Sequence, residues 1–140
     1  MGIPTVDVNL VAVVVTAIIV MVIGALWYSP LFFGKTWAKH SGMTKKDIAK
    51  TKKKSMNKQY FLGFVTTLIM TYVLAYFLAI LNITTAREGM QIAFWIWIGF
   101  FATTQFGTVL WEGKSAQLYY LNATHYLVSL LIMGLLLTVW

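Results

Sequence analysis

Cysteine does not occur anywhere in the 140 residues. Disulfide frameworks, thiolate metal sites, catalytic thiols and palmitoylation are excluded with it. Proline occurs twice, as Pro4 and Pro30, so beyond the first few residues only Pro30 interrupts helix formation. Acidic residues number four, and charged residues of both signs reach only 11% of the chain. Soluble domains carry about a quarter, so there is too little charge here to coat a water-facing globule. No basic side chain precedes the first apolar run, and Val6 breaks the myristoylation pattern. That run is therefore expected to be retained and unlipidated. Catalytic templates are missing too: no HExxH, no GxSxG, no phosphate loop and no pair of intramembrane carboxylates. His40 and His125 have no ligand-type neighbour at metal-binding spacing. The expectation is a protein that is not an enzyme, with no metal and no cofactor.

What is present is apolar: 59% hydrophobic residues, 16% aromatic, and a mean hydropathy of +0.75. A helix crosses the hydrocarbon layer with roughly 20 mostly apolar residues. Four stretches meet that length, at about 9–28, 60–81, 91–111 and 119–140, and none contains Lys, Arg, Asp or Glu. Barrel strands would be about half as long and strictly alternating. The fold class is therefore all-α, a four-helix transmembrane bundle forming a single domain over 1–140.

Charge orients it. The segment 35–58 holds nine lysines, and Lys114 shares its side, whereas Arg87 stands alone opposite. Basic residues stay in the cytoplasm, so this reading puts both termini outside, in a multi-pass membrane protein. Thr44-Lys45-Lys46-Asp47 fits a capping box, predicting a cytoplasmic basic helix from Lys45 that is continuous with or adjacent to the second span. The net charge of +7 points to anionic lipid headgroups rather than nucleic acid as the partner of these lysines, or to topology determination alone.

Helices in lipid associate by close backbone approach. Small residues recur every fourth position in the second span, at Gly63, Thr67, Thr71, Ala75 and Ala79, and in the third at Gly99, Thr103 and Gly107. The spacing predicts antiparallel packing of these two faces, or use of one of them as the seam of a homo-oligomer such as a dimer.

Two groups of residues could carry function. Gln105, Thr108 and Glu112 share one face of the third span, and Asn122, His125 and Ser129 share one face of the fourth. Polar groups in hydrocarbon need partners, so a hydrated polar pocket near the basic-loop side is predicted, with Glu112 and His125 as its titratable members. The second group is the segment Trp27, Tyr28, Ser29, Pro30, Phe33, Gly34 and Trp37. Pro30 ends the first span, and the apolar residues after it either anchor in the interface or form a lid over the bundle mouth.

With Glu112-Gly113-Lys114 and Asn122, His125 and Tyr126, that segment resembles the domain-of-unknown-function family 1761, small multi-span proteins found mainly in bacteria. The resemblance covers essentially the whole chain and implies that the motif positions belong together; it implies no activity, substrate or cofactor. Two functional expectations follow: an oligomeric channel or transporter of a small solute or ion, or a scaffold that holds partners through small-residue faces and the lysine helix. The two halves show no inverted repeat, which weighs against the inverted-repeat transporter architecture.

Overall fold

A computed structural model of the chain describes residues 5–42, 46, 47, 50 and 57–140. Among these residues the structure is all-helical, with no strand. Four helices are long and apolar enough to cross a membrane: α1 (Leu10–Trp27), α3 (Asn57–Ile80), α4 (Ala86–Leu110) and α5 (Ala116–Val139). A short helix α2 (Gly34–His40) follows α1. The capping box at Thr44 and the start of a basic helix at Lys45 lie outside the described residues.

The helix starts are chemically specified. Asn9 Oδ1 accepts the Ala12 amide at 3.1 Å at the head of α1. Thr85 Oγ1 accepts the Glu88 amide at 3.3 Å, so α4 begins five residues before the predicted start. Thr85-Ala86-Arg87-Glu88 has the capping-box spacing, a signal that hydrophobicity alone passes over. Ser115 caps α5, its hydroxyl accepting the Leu118 amide at 3.4 Å. Between α4 and α5, Gly113 takes a positive φ of 68°, and the Lys114 amide bonds back to the Thr108 carbonyl at 3.0 Å. This is the left-handed helix stop that glycine permits.

Packing departs from the expected pairing of the second and third spans. The principal partner of α4 is α5, and that of α3 is α1, while α3 and α4 barely meet. The reason lies at Gly89 and Gly134. A β-carbon on either glycine would overlap the carbonyl of the other, so the α4 and α5 backbones touch there, with Ala93 fully buried beside them. By contrast Gly99 has open space around it, Gly107 meets only the Trp111 side chain of its own helix, and Thr103 is exposed. That ridge makes no seam with α3. The second-span ridge does pack: Thr71 is completely buried, and Gly63 and Thr67 face Met21 of α1.

An interior π-helical turn at Trp97–Ala102 explains the outward ridge. Its wider winding resets the helix face, turning Trp97 and Phe101 toward the core cluster and leaving Gly99 outside. Trp97 Nε1 donates to the Ala123 carbonyl of α5 at 2.8 Å, and the Tyr119 hydroxyl donates to the Ala102 carbonyl at 2.8 Å. On the outer face, Thr103 donates to the Gly99 carbonyl and Thr104 to that of Phe100. These hydroxyls are satisfied within their own helix, so nothing forces the ridge to find a neighbouring helix.

Candidate functional site

The Trp27 to Trp37 segment folds into a compact turn rather than a free loop. The Phe33 amide returns to the Trp27 carbonyl at 3.0 Å, and the Gly34 amide to that of Ser29 at 2.9 Å. A side chain at Gly34 would strike the Tyr28 and Ser29 backbone, so only glycine closes this turn. Ser29 donates to the Leu26 carbonyl at 2.6 Å, ending α1 just before Pro30. Phe33 packs on Trp27 with ring centroids 4.7 Å apart, and Trp37 meets the edge of Tyr28 at 6.3 Å. Leu31 and Phe32 project outward, 84% and 59% exposed.

This turn is tied to the first turns of α5. Trp27 Nε1 donates to the Leu121 carbonyl at 3.3 Å, and the Tyr28 hydroxyl donates to Asn122 Oδ1 at 2.7 Å. One step deeper stands His125, 5.2 Å ring to ring from both Tyr28 and Tyr126 and 6.0 Å from Trp27. Its Nε2 lies 3.5 Å from the Ser129 hydroxyl, and its Nδ1 is buried without a hydrogen-bond partner. Gly24 makes room for the ring, since a β-carbon there would come within 3.1 Å of Nε2.

Two cavities meet at this aromatic group. A groove of about 810 Å³ lies between α1, α3 and α5, with Gly24, Thr67, His125 and Ser129 in its wall. A second, of about 320 Å³, is lined by Gln105, Thr108, Tyr119 and Asn122. Tyr28 and Tyr126 line both, so these two rings and the Tyr28–Asn122 bond partition the space. Gln105 Oε1, like His125 Nδ1, is buried and unpartnered.

Five of the six predicted pocket residues line one or the other cavity: Gln105, Thr108 and Asn122 the smaller, His125 and Ser129 the groove. Glu112 does not. It is exposed and lines neither cavity, because the left-handed Gly113 reverses the chain just past the helix end and leaves the carboxylate on the outer side of the turn. Asn122 bonds Tyr28 rather than bridging Glu112 to His125. Among the described residues, neither cavity is lined by a charged side chain.

The family can now be given. The family described as protein of unknown function (DUF1761) matches residues 11–138. The chain belongs to that family. The DUF1761 match takes in every residue of the site, including the Trp27 to Trp37 turn and the Asn122, His125 and Tyr126 group it contacts. No curated protein and no solved structure matches the chain.

One site element escapes polarity patterns read from a single helix. Thr16 is completely buried in α1, and its hydroxyl has no partner. Thr71 of α3 and Ser129 of α5 are also completely buried, and these three helices pack on one another. Counted along each helix from Trp27, Tyr60 and Ala116, the three hydroxyls stand about 16 to 20 Å from the basic-loop end, near the middle of a layer roughly 30 Å thick. Toward the opposite end, a cavity of about 200 Å³ is lined by Asp7, Asn9, Ala12, Ala75 and Ala79 among others. The seam therefore has the groove at one end, a small cavity at the other, and a level of buried hydroxyls between. The second-span ridge runs the whole way: Gly63 and Thr67 at the groove, Thr71 at the hydroxyl level, Ala75 and Ala79 at the far cavity. On α1 the matching series is Ala12, Thr16 and Gly24. A lone threonine in an otherwise apolar span, four residues from Ala12 and eight from Gly24, is the sequence signal for it.

Proposed function

We propose that the protein is a membrane carrier that moves a small uncharged solute along the seam of α1, α3 and α5. The observation that supports it is Thr16. An unpartnered hydroxyl in a fully buried position costs about 1–3 kcal/mol, and a purely structural span would hold valine there. Its place between two cavities gives the cost a purpose, since a solute shedding its water at mid-membrane would find a donor and acceptor at that level. Among the described residues, the groove and the buried hydroxyl level hold no charged side chain, and the exposed Asp7 lines only the far cavity, which favours an uncharged solute over an ion. Ser129 stands 3.5 Å from His125 Nε2, but among the described residues no carboxylate orients the ring, its Nδ1 being unpartnered, so the reading is transport without chemical conversion.

The cysteine-free sequence makes single-cysteine labelling clean. In oriented membrane vesicles, Thr16→Cys is expected to react with a small uncharged, water-soluble thiol reagent from either side, at different times in the transport cycle. Gly63→Cys should react from the basic-loop side and Ala75→Cys from the other. A Thr16→Cys that stays inert from both sides, as lipid-facing Ile69→Cys should, ends the carrier reading.

The same reading places the basic loop in the cytoplasm and the termini outside, in a bacterial cytoplasmic membrane, with the lysines held against anionic headgroups. In intact cells, cysteine at Lys50 or Lys114 should be shielded from an impermeant reagent and cysteine at Ala86 open to it. Labelling of position 50 from outside would reverse the orientation. The outward face of α4, where Gly99 is open and Phe100 is 68% exposed, is where a homo-oligomeric contact fits this carrier. That face also serves a scaffold protein, which becomes the better reading if the seam proves inert.

A further inference from the structure

The groove of about 810 Å³ is open sideways: Ile18 at 49%, Val22 at 54% and Tyr60 at 62% exposure stand on its rim. These positions lie along the apolar lengths of α1 and α3, so the rim faces hydrocarbon and headgroup rather than bulk water. Its chemistry is also divided. Hydrogen-bonding groups collect on the inner wall, where Thr67, His125 and Ser129 stand, while Ile18, Met21, Val22, Met70 and Phe101 supply an apolar remainder. Among the described residues, no Lys, Arg, Asp or Glu lines it. A separate groove of about 310 Å³, walled by aliphatic residues of α1 and α3 such as Val14, Leu68 and Ile69 together with Tyr72, lies on the same helix pair nearer the termini end of α1.

From these features we infer that the groove takes an uncharged, single-chain amphiphile that enters sideways from the bilayer. Its hydroxyl, amide or ester head would reach His125 and Ser129, and its chain would lie against α1 and α3. This rests on the carrier reading, naming the class of molecule carried. The exclusion of charged heads is electrostatic: an ionised phosphate or ammonium would be desolvated against walls with no opposite charge, with nothing there to offset the lost hydration. Water-soluble solutes without a chain are disfavoured by the apolar remainder, which would be left facing the solute unfilled. Size agrees, since pockets of roughly 300–1,000 Å³ hold small ligands. Thr16, Thr71 and Ser129 then continue the hydrogen-bonding wall toward the far cavity, so a head can follow the hydroxyls while its chain stays in lipid.

The test uses purified full-length protein in phosphatidylcholine nanodiscs with a monoacylglycerol carrying a photoreactive diazirine in its chain. Cross-links are expected to saturate, to map to α1 around Met21 and to α3 around Met70, and to be displaced by excess 1-oleoylglycerol. Glycerol alone and anionic lysophosphatidylglycerol should not displace them. His125→Phe, which keeps the ring volume, and Ser129→Ala should each weaken saturable labelling about tenfold, the worth of one hydrogen bond. Labelling that never saturates and falls equally on lipid-facing Trp95 and Phe100 overturns the inference, as does equal displacement by the anionic lipid. Wild-type labelling of both variants overturns the assignment of the head to His125 and Ser129. The Thr16→Cys measurement stands apart from these outcomes. A reactive seam without saturable labelling keeps the carrier and rejects the amphiphile, and saturable labelling on an inert seam does the reverse.

Discussion

Leucine in place of Gly134 is expected to cost the folded bundle about 3 kcal/mol or more, the upper range for overpacking, and to lower its melting temperature in detergent by on the order of 10 °C. The Gly134 and Gly89 backbones touch, and a β-carbon on either would overlap the other's carbonyl. The clash is with backbone, which no rotamer change relieves, so α4 and α5 must separate. Gly89→Leu should behave in the same way. Thr71→Leu, at a completely buried position, should also destabilise, by about 1–3 kcal/mol. Gly99→Leu is the control, because nothing lies near that position; an isolated monomer should melt as the parent does. Thermal melts followed by circular dichroism or by loss of monodisperse protein would decide it. If Gly134→Leu and Gly99→Leu melt together, the close crossing is not what holds α4 to α5.

Thr16→Val should move stability and function in opposite directions. Valine has nearly the shape of threonine and removes a buried hydroxyl that has no partner. The variant is therefore expected to gain about 1 kcal/mol. In a Ser129→Cys background, reaction of the thiol from the termini side should at the same time slow about tenfold, the effect of one lost hydrogen bond on a polar solute's passage. A loss of stability would mean that the Thr16 hydroxyl does find a partner in the folded protein. A gain in stability with unchanged thiol reactivity would place the solute's route elsewhere.

Much of the architecture was legible because single-helix properties in lipid are local. The length and apolarity of four runs specify four helices without reference to any neighbour. The second-span ridge was legible for a related reason: Gly63, Thr67, Thr71, Ala75 and Ala79 lie on one face at a spacing only a helix makes coherent. The meeting of Gln105 and Thr108 with Asn122 was also readable, since a short turn between α4 and α5 leaves polar faces few places to meet. Thr85-Ala86-Arg87-Glu88 was equally available as a capping signal, although hydrophobic length alone starts the helix too late.

What was not legible depends on contacts between helices. Gly99, Thr103 and Gly107 carry the same small-residue signal as Gly63, Thr67 and Thr71, but the π-helical turn at Trp97–Ala102 rotates them away from the bundle. Gly89 and Gly134 sit far apart in sequence with no pattern joining them, and only their meeting shows why each must be glycine. Glu112 has the right periodicity for the pocket and is excluded by the left-handed turn at Gly113. Thr16 reads as one threonine among valines until α3 and α5 close over it. Sequence by itself determined the four spans, the lysine-rich side and the uncharged interior, because transfer of each residue into lipid is set by its own side chain. The tertiary structure decided which small faces touch, which polar groups share a cavity and which hydroxyl is left unpaired, because those depend on the angle and register at which separate helices meet.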